Sequence, residues 1–272
     1  MSHQSKLDRA KVHFDDLDAS VTEFLRQKPY RITGEKDLER WQYVMRIHRT
    51  APFPENWSLI LGDCLHNLRS ALDHLVYAIA LTQGSIREGI KIQFPIFRNP
   101  GEFDDRSKEF LKLVPMRARE ASKGLQPYQG PHGVDGAYCH PLWRLHRLNN
   151  IDKHRHFVIH GTWPPSMSVV IGDGIDQSGP DRLDGFGVFS GPFPDGAEVF
   201  RAPMLQGFEG KPDVKLHFRA SIALAEPSLG ANLFARETVR AIHDHIRDIV
   251  FPALRDYVAG ASHRAPSSGE DA

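Results

Sequence analysis

The sequence predicts an α+β protein, in which a long-helix core carries a small antiparallel β-sheet. Three observations lead there. Apolar residues recur at helical spacing over 5–27, 55–83, 141–156 and 229–259. Short β-like runs fill 157–226, with Gly, Pro and Asp between them. In 30–50, Trp41, Tyr43, Met45 and Ile47 alternate with Gln42, Val44, Arg46 and His48, close to the period two of a strand. Residues 1–259 therefore read as one α+β domain, and 260–272, small and polar, as a disordered tail.

The elements follow in order. Val12, Phe14, Leu17, Val21, Phe24 and Leu25 give the first helix its apolar stripe, and Pro29 ends it. A hairpin follows, Tyr30–Thr33 with Arg40–Thr50, and Gly34 lies near its turn. Pro52 and Pro54 mark a loop. The strongest helix runs from about Glu55 to Leu81, and Gly84 stops it. Ile92–Phe97 reads as a strand closed by Asn99-Pro100-Gly101. Helical turns are expected over 102–111 and 115–123, then a Gly- and Pro-rich loop over 124–138. Pro141 favours a helix start, and that helix runs to about His156. The β-like runs are Phe157–Thr162, Met167–Ile171, Gly187–Phe189, Glu198–Phe200 and Val214–Ala225. The last helix has the stripe Leu233, Val239, Ile242, Ile246, Ile249, Val250 and Leu254, with Pro252 expected to kink or break it.

Bulk chemistry excludes several classes. Lys+Arg and Asp+Glu are equal at 34 each, so the chain does not coat nucleic acid or anionic membrane by charge alone. That balance leaves room for a local basic site. Cys64 and Cys139 are the two cysteines, and neither belongs to a CxxC pair, so no disulfide framework or cysteine zinc knuckle is expected. The longest apolar run, Leu75–Leu81, is too short for a bilayer, and the expected compartment is the cytoplasm. The excess of Arg over Lys points to a GC-rich bacterial genome. No phosphate loop, dinucleotide fingerprint or GxSxG elbow is present, and no cofactor is implied. Trp41 and Tyr43 read as core. Arg240, His243 and His245, beside Asp244 and Asp248, read as a solvated face.

The central helix is more informative. On a wheel, Leu61, Cys64, Leu65, Leu68, Leu72, Leu75, Val76 and Ile79 share one arc of roughly 120°. The opposite side holds Gly62, Asp63, His66, Asn67, Arg69, Ser70, Asp73, His74 and Tyr77, with no Lys and no Glu. Short, directional hydrogen-bonding groups solvate a surface poorly but serve a site or a polar interface. Arg69 and Asp73 have the spacing of an i,i+4 ion pair. His74 lies about 140° round from Arg69, so the two can border one cleft without pointing the same way.

The stretch Leu-His-Asn-Leu-Arg69-Ser-Ala-Leu-Asp-His74 resembles the Arg-x4–6-His signature of the HEPN superfamily. The resemblance covers this helix and well under half of the chain. It implies a helical, often dimeric domain and a metal-independent RNase of a bacterial defence or stress system, or a binding protein derived from one. It also implies roles: His74 as general base or acid, Arg69 stabilising phosphate charge, and Asn67 and Asp73 orienting them. His66 and Tyr77 border the same arc.

A second segment, 140–160, is dense in histidine. His146, Asn149, Asn150 and Lys153 form an i, i+3, i+4, i+7 stripe, and Asn149, Asp152 and His156 an adjoining one. Packing against the central helix would let the two polar stripes close one site. Three readings stay open. Lys153, His154 and Arg155 bind RNA phosphate while Asp152 orients a histidine. Alternatively, six histidines (132, 140, 146, 154, 156 and 160) and Cys139 hold a metal for a hydrolase. Or the segment is a structural corner capped by Asp152 and Asn149.

The leading expectation is thus a HEPN-like RNase, or an RNase-derived binding protein, acting on RNA at a local site without a metal. It is expected to be a homodimer with no membrane partner. The alternative is a non-catalytic interaction protein whose polar helix face is a buried or dimer hydrogen-bond network. A metal-dependent hydrolase using 132–160 ranks third.

Overall fold

The computed structural model describes residues 2–259 except 156, 158, 164–167, 179–186, 189–190, 193, 218–220, 225 and 230–232. The expected disordered tail 260–272 and His156 therefore lie outside the described residues. The fold is α+β, about 52% helical and 19% strand, with the strands in small antiparallel sheets. The first elements are α1 (His3–Arg26), β1 (Tyr30–Asp37), β2 (Gln42–Arg49), α2 (Asn56–Leu81), α3 (Pro100–Phe110) and α4 (Met116–Gly124). Then come the single turn α5 (Gly133–Gly136), α6 (Pro141–Asp152), β3 (Ile159–Trp163), β4 (Ser168–Ile171), β5 (Gly187–Val188) and β6 (Gly191–Pro192). The chain continues with β7 (Ala197–Pro203), β8 (Val214–His217), β9 (Ser221–Leu224), β10 (Leu233–Phe234), α7 (Ala235–His245) and α8 (Phe251–Val258). A π-helical turn, Ile246–Val250, joins α7 to α8.

The chain divides into two compact units, with boundaries inside α1, α2 and α7. The helical unit comprises Met1–Phe14, Leu61–Arg155 and the chain from Thr238 onward. The sheet unit comprises Asp15–Ile60 and His156–Glu237.

In the helical unit the wheel of α2 is realised. Leu61, Cys64, Leu65, Leu68, Leu72, Leu75, Val76 and Ile79 are each at most 1% exposed. Leu7, Ala10 and Phe14 of α1, Leu142, Leu145 and Leu148 of α6, and Val239 and Ile242 of α7 are buried in the same unit. Each large side chain so buried contributes about 1.5–3 kcal/mol before conformational entropy is charged against it. The starts of α3 and α6 show why those helices begin where they do. Asn99 accepts from the Glu102 N–H at 2.8 Å, and Pro100 takes the first helical position. At α6, His140 Nδ1 accepts from the Leu142 N–H at 3.2 Å, and Pro141 occupies the equivalent place.

Three expectations need correction in this unit. Ile92–Phe97 is not a strand: it is irregular chain whose polar groups bond to side chains instead of a neighbouring strand. Buried Gln126 accepts from the Phe97 N–H at 2.9 Å and donates to the Pro95 carbonyl at 2.9 Å. Pro252 does not break the last helix. It lacks an N–H to donate back, and the preceding turn widens to π geometry, which absorbs the mismatch. The histidines of α7 are not a solvated face either. His243 is 7% exposed, and the His245 ring packs edge-on against His140 at 4.8 Å.

Among the described residues, the sheet unit holds two four-stranded antiparallel sheets, ordered β1-β2-β7-β5 and β10-β9-β3-β6, and a two-stranded ribbon, β4-β8. The run expected over Val214–Ala225 is thus divided between the ribbon and the second sheet. Tyr43, Met45 and Ile47 of β2 join Val199, Phe200, Ala202, Met204 and Ile175 in one core, and Val169, Ile171, Val214 and Leu216 of the ribbon pack on it. The hairpin is longer than expected. Gly34 sits mid-strand opposite Met45, where a Cβ would collide with the Tyr43 ring. Trp41 is not core: it closes the turn at φ 52° and is 41% exposed. Elsewhere in this unit, Trp57 donates from Nε1 to Ser20 at 2.8 Å and meets Phe24 edge-on, fixing the start of α2 on the second half of α1.

Candidate functional site

Arg69 and Asp73 stand one turn apart on α2 and form the ion pair their spacing predicts, at 2.8 Å. The pair reaches further. Arg69 Nη2 donates to the Phe94 carbonyl at 2.6 Å, and Asp73 Oδ1 accepts from the Phe94 N–H at 2.9 Å. One donor and one acceptor on α2 thus bracket a single residue of irregular chain, much as a strand neighbour would. The Arg69 side chain is only 12% exposed, and its Nη1 is buried with no hydrogen-bond partner among the described residues.

Arg69 also lines a cavity of about 400 Å³ within the helical unit. From α6 come Trp143, His146, Asn149 and Asn150, and from its C-cap Lys153, the expected four-residue stripe extended by one aromatic turn. From α3 come Glu102, Arg106 and Phe110, and the floor is the chain 93–97 that Arg69 and Asp73 hold. Three cationic side chains line this space against one carboxylate, Glu102. Arg106 and Lys153 are exposed and form no ion pair among the described residues. Asn149 is 4% exposed and lines the cavity from the buried side of the stripe.

His146 gives the cavity a neutral imidazole. Burial, reinforced by the charges of Arg69, Arg147, Lys153 and Arg106, pushes its pKa down to about 4. Its Nε2 lies 3.1 Å from the Asn150 amide, and its ring stacks on Trp143 at 5.2 Å, while the Arg98 guanidinium lies 4.9 Å from the same indole. If the Asn150 amide donates, the imidazole proton sits on Nδ1, leaving one donor for a ligand.

The remaining candidates lie apart from this space. His74 is half-buried on another side of α2, and its charge bears on His3 of α1. Asn67 donates to the Asp63 carbonyl at 2.8 Å and accepts from Lys6 at 3.5 Å. His66 is exposed with Ser70 at 3.5 Å, and Tyr77 is 46% exposed. Asp152 ends α6 with its carboxylate seated over Gly62 of α2, where any Cβ would collide with it. This close approach sets the packing of α6 on α2. His154 and Arg155 are exposed past the end of α6. None of these lines the cavity. Of the residues singled out from the sequence, the structure brings together Arg69 and the stripe His146, Asn149, Asn150 and Lys153, and it adds Trp143, Arg106 and Glu102 to them.

Trp143 carries a usable signal, since it precedes His146 by three and so continues the stripe. Arg106 carries none, because α3 is short and its charges alternate without pattern. Among the described residues, no group of three His, Cys, Asp or Glu side chains is placed to hold a metal. Of the six histidines expected as a cluster, His140 packs on His245 and His146 on Trp143, and His156 lies outside the described residues. Among the described residues, no helix is long and apolar enough to cross a membrane. Comparison with known protein families, curated proteins and solved structures returns no match for this chain.

Proposed function

We propose that this chain binds RNA at a local phosphate site, the cavity of the helical unit, as an RNase-derived binding protein. The observation that supports this reading is the excess of unpaired hydrogen-bond donors around that cavity. Arg106 and Lys153 offer exposed cations without ion-pair partners among the described residues, and Arg69 offers a buried Nη1 without a bond there. A buried donor is ordinarily satisfied, and one flanked by two such cations suits an oxygen-rich anion. Zero net charge agrees with a local site better than with a coated surface.

The geometry of Arg69 favours binding over cleavage. Its guanidinium is committed to Asp73 and Phe94, and His74 does not line the cavity that Arg69 lines. A nuclease of the Arg–His kind would need a second chain to bring a histidine to Arg69. The test is anisotropy with a labelled single-stranded RNA across a salt series. Wild type should bind, and Lys153→Ala and Arg106→Ala should each reduce the salt slope by about 0.7. Loss of RNA without loss of label, measured in EDTA and abolished by His74→Ala, would replace binding by catalysis. No binding by folded wild type would end the RNA reading.

A further inference from the structure

The donor set at the cavity says more about the ligand than that it is anionic. Resting on the RNA-binding reading, we propose that the group held there is a terminal phosphate of a ribonucleotide, a phosphomonoester, and not an internal phosphodiester of a strand. Three observations carry this.

The first is size. A space of about 400 Å³ lies at the small end of ligand sites and suits one nucleotide unit. An internal phosphate must carry chain on both sides, whereas a terminal one enters with chain on one side only.

The second is charge. Asp73 already balances Arg69. Arg106 and Lys153 against Glu102 leave one positive charge at the cavity, and a proton on His146 makes two. A phosphomonoester carries close to two negative charges at neutral pH, an internal diester one. Burial keeps His146 neutral when the cavity is empty, and the cations of Arg69, Arg106, Arg147 and Lys153 add to that. A bound dianion offsets the cations' share and so raises the proton affinity of the imidazole more than a monoanion does.

The third is the arrangement of donors and acceptors. Arg69, Arg106, Lys153, Asn149 and His146 supply five donor groups, enough for three terminal phosphate oxygens. Glu102 is the one carboxylate at the cavity, and a ribose hydroxyl is a donor that answers it.

The experiment uses the full chain and one RNA octamer made with a 5′-phosphate, a 3′-phosphate or hydroxyls at both ends. Competition anisotropy should show one phosphorylated form binding about tenfold tighter than the hydroxyl form. Lys153→Gln should erase most of that difference, and Asn149→Ser should reduce it, while Lys215→Gln on the ribbon should leave it unchanged. Lys153 is exposed, so its variant remains informative if Asn149→Ser fails to fold. Adenosine monophosphate and ribose 5-phosphate are the remaining arms. If they compete as well as the phosphorylated RNA, the source is a free nucleotide or sugar phosphate; if only the octamer competes, it is an RNA end. Equal binding of all three octamers would overturn the terminal-phosphate proposal and leave the RNA reading standing. Binding of the monophosphate but of no octamer would do the reverse. No binding of any probe by folded protein would overturn both.

Discussion

Cations in the two units are treated differently. On the β1–β2–β7 face of the sheet unit, Arg201 and Arg46 each have an acid. Arg201 forks onto Glu198 with two bonds of 2.7 Å and reaches Gln42 at 2.9 Å, and Arg46 meets Glu35 at 2.8 Å with Glu198 at 3.8 Å. Hydrogen bonds from Arg201 hold the Glu198 carboxyl below its ordinary range. In the cavity of the helical unit, Arg106 and Lys153 stand without such partners among the described residues. Arg69 is bonded on one side only, its Nη1 buried without a partner among the described residues. A saturated network supports local structure and has no capacity left for a ligand. An unsaturated one leaves a cost in the empty state that a ligand can remove. The contrast favours a ligand in the helical unit, and its weak points can be ranked.

The largest effect should come from Arg69→Ala. It removes the bracket on Phe94 and leaves the Asp73 carboxylate without its counter-charge. A partly buried pair broken on one side costs about 3 kcal/mol. Urea denaturation should show that loss, and Arg69→Lys should recover only part of it, because an ammonium cannot serve Asp73 and the Phe94 carbonyl together. A loss below about 0.5 kcal/mol would mean the clamp is not structural, and Arg69 would return to the ligand side of the comparison.

Gln126→Ala comes next. Its amide is fully buried and makes three bonds, to the Phe97 N–H and to the Pro95 and Ser122 carbonyls. The substitution strands those backbone groups and should cost about 2 kcal/mol. RNA affinity should fall with it, since the same chain forms the cavity floor.

How much of this is legible in the sequence depends on where each residue finds its partner. The apolar arc of α2 is legible because burial there follows the 3.6-residue period alone. The α6 stripe is legible for the same reason. Residues 92–97 resemble a strand because their apolar content is strand-like, while their true partners, Arg69, Asp73 and Gln126, are side chains far away in sequence. His243 and His245 look solvated because flanking acids signal solvent locally, and only the packing of α6 brings His140 to His245. A glycine in a hairpin suggests a turn, whereas Gly34 instead makes room for the Tyr43 ring. The Arg69–His74 spacing gives the two directions correctly, yet direction on one helix does not say which neighbour each residue faces.

A smaller effect, read by pH, concerns His140 and His146 of the helical unit. Burial holds both at about 4, against an ordinary value of 6.5. The unfolded chain therefore binds more protons than the folded one between these values. Stability of the helical unit is full above pH 6.5 and falls as pH drops towards 4. His245 faces His140, and Arg69, Arg106, Arg147 and Lys153 face His146, so no acid offsets either shift. Denaturation midpoints between about pH 7 and 5 should decline in wild type. They should decline less in His140→Asn, which can still accept the Leu142 N–H at the helix start, and least when His146→Gln is added. In the sheet unit, Glu198 is held below its ordinary range and falls outside this window, while burial lowers His160 in the same direction. An unchanged slope in the double variant would remove the histidines from the account.

The smallest effect is expected where the charges are most completely paired. A double-mutant cycle on Arg201→Ala and Glu198→Ala should give a coupling of at most about 1 kcal/mol, because Arg201 is 31% exposed and water replaces much of what is lost. RNA affinity should not move in either single variant, since neither side chain borders the cavity. Lys153→Ala, though it makes no ion pair among the described residues and should change stability by less than about 0.5 kcal/mol, should weaken RNA binding several-fold. The two variants thus invert each other: the paired cation matters to its strands and not to the ligand, and the unpaired one matters to the ligand and not to its helix. A fall in RNA affinity on Arg201→Ala as large as that on Lys153→Ala would show that the ligand reads general surface charge, and the distinction between saturated and unsaturated networks would lose its functional meaning.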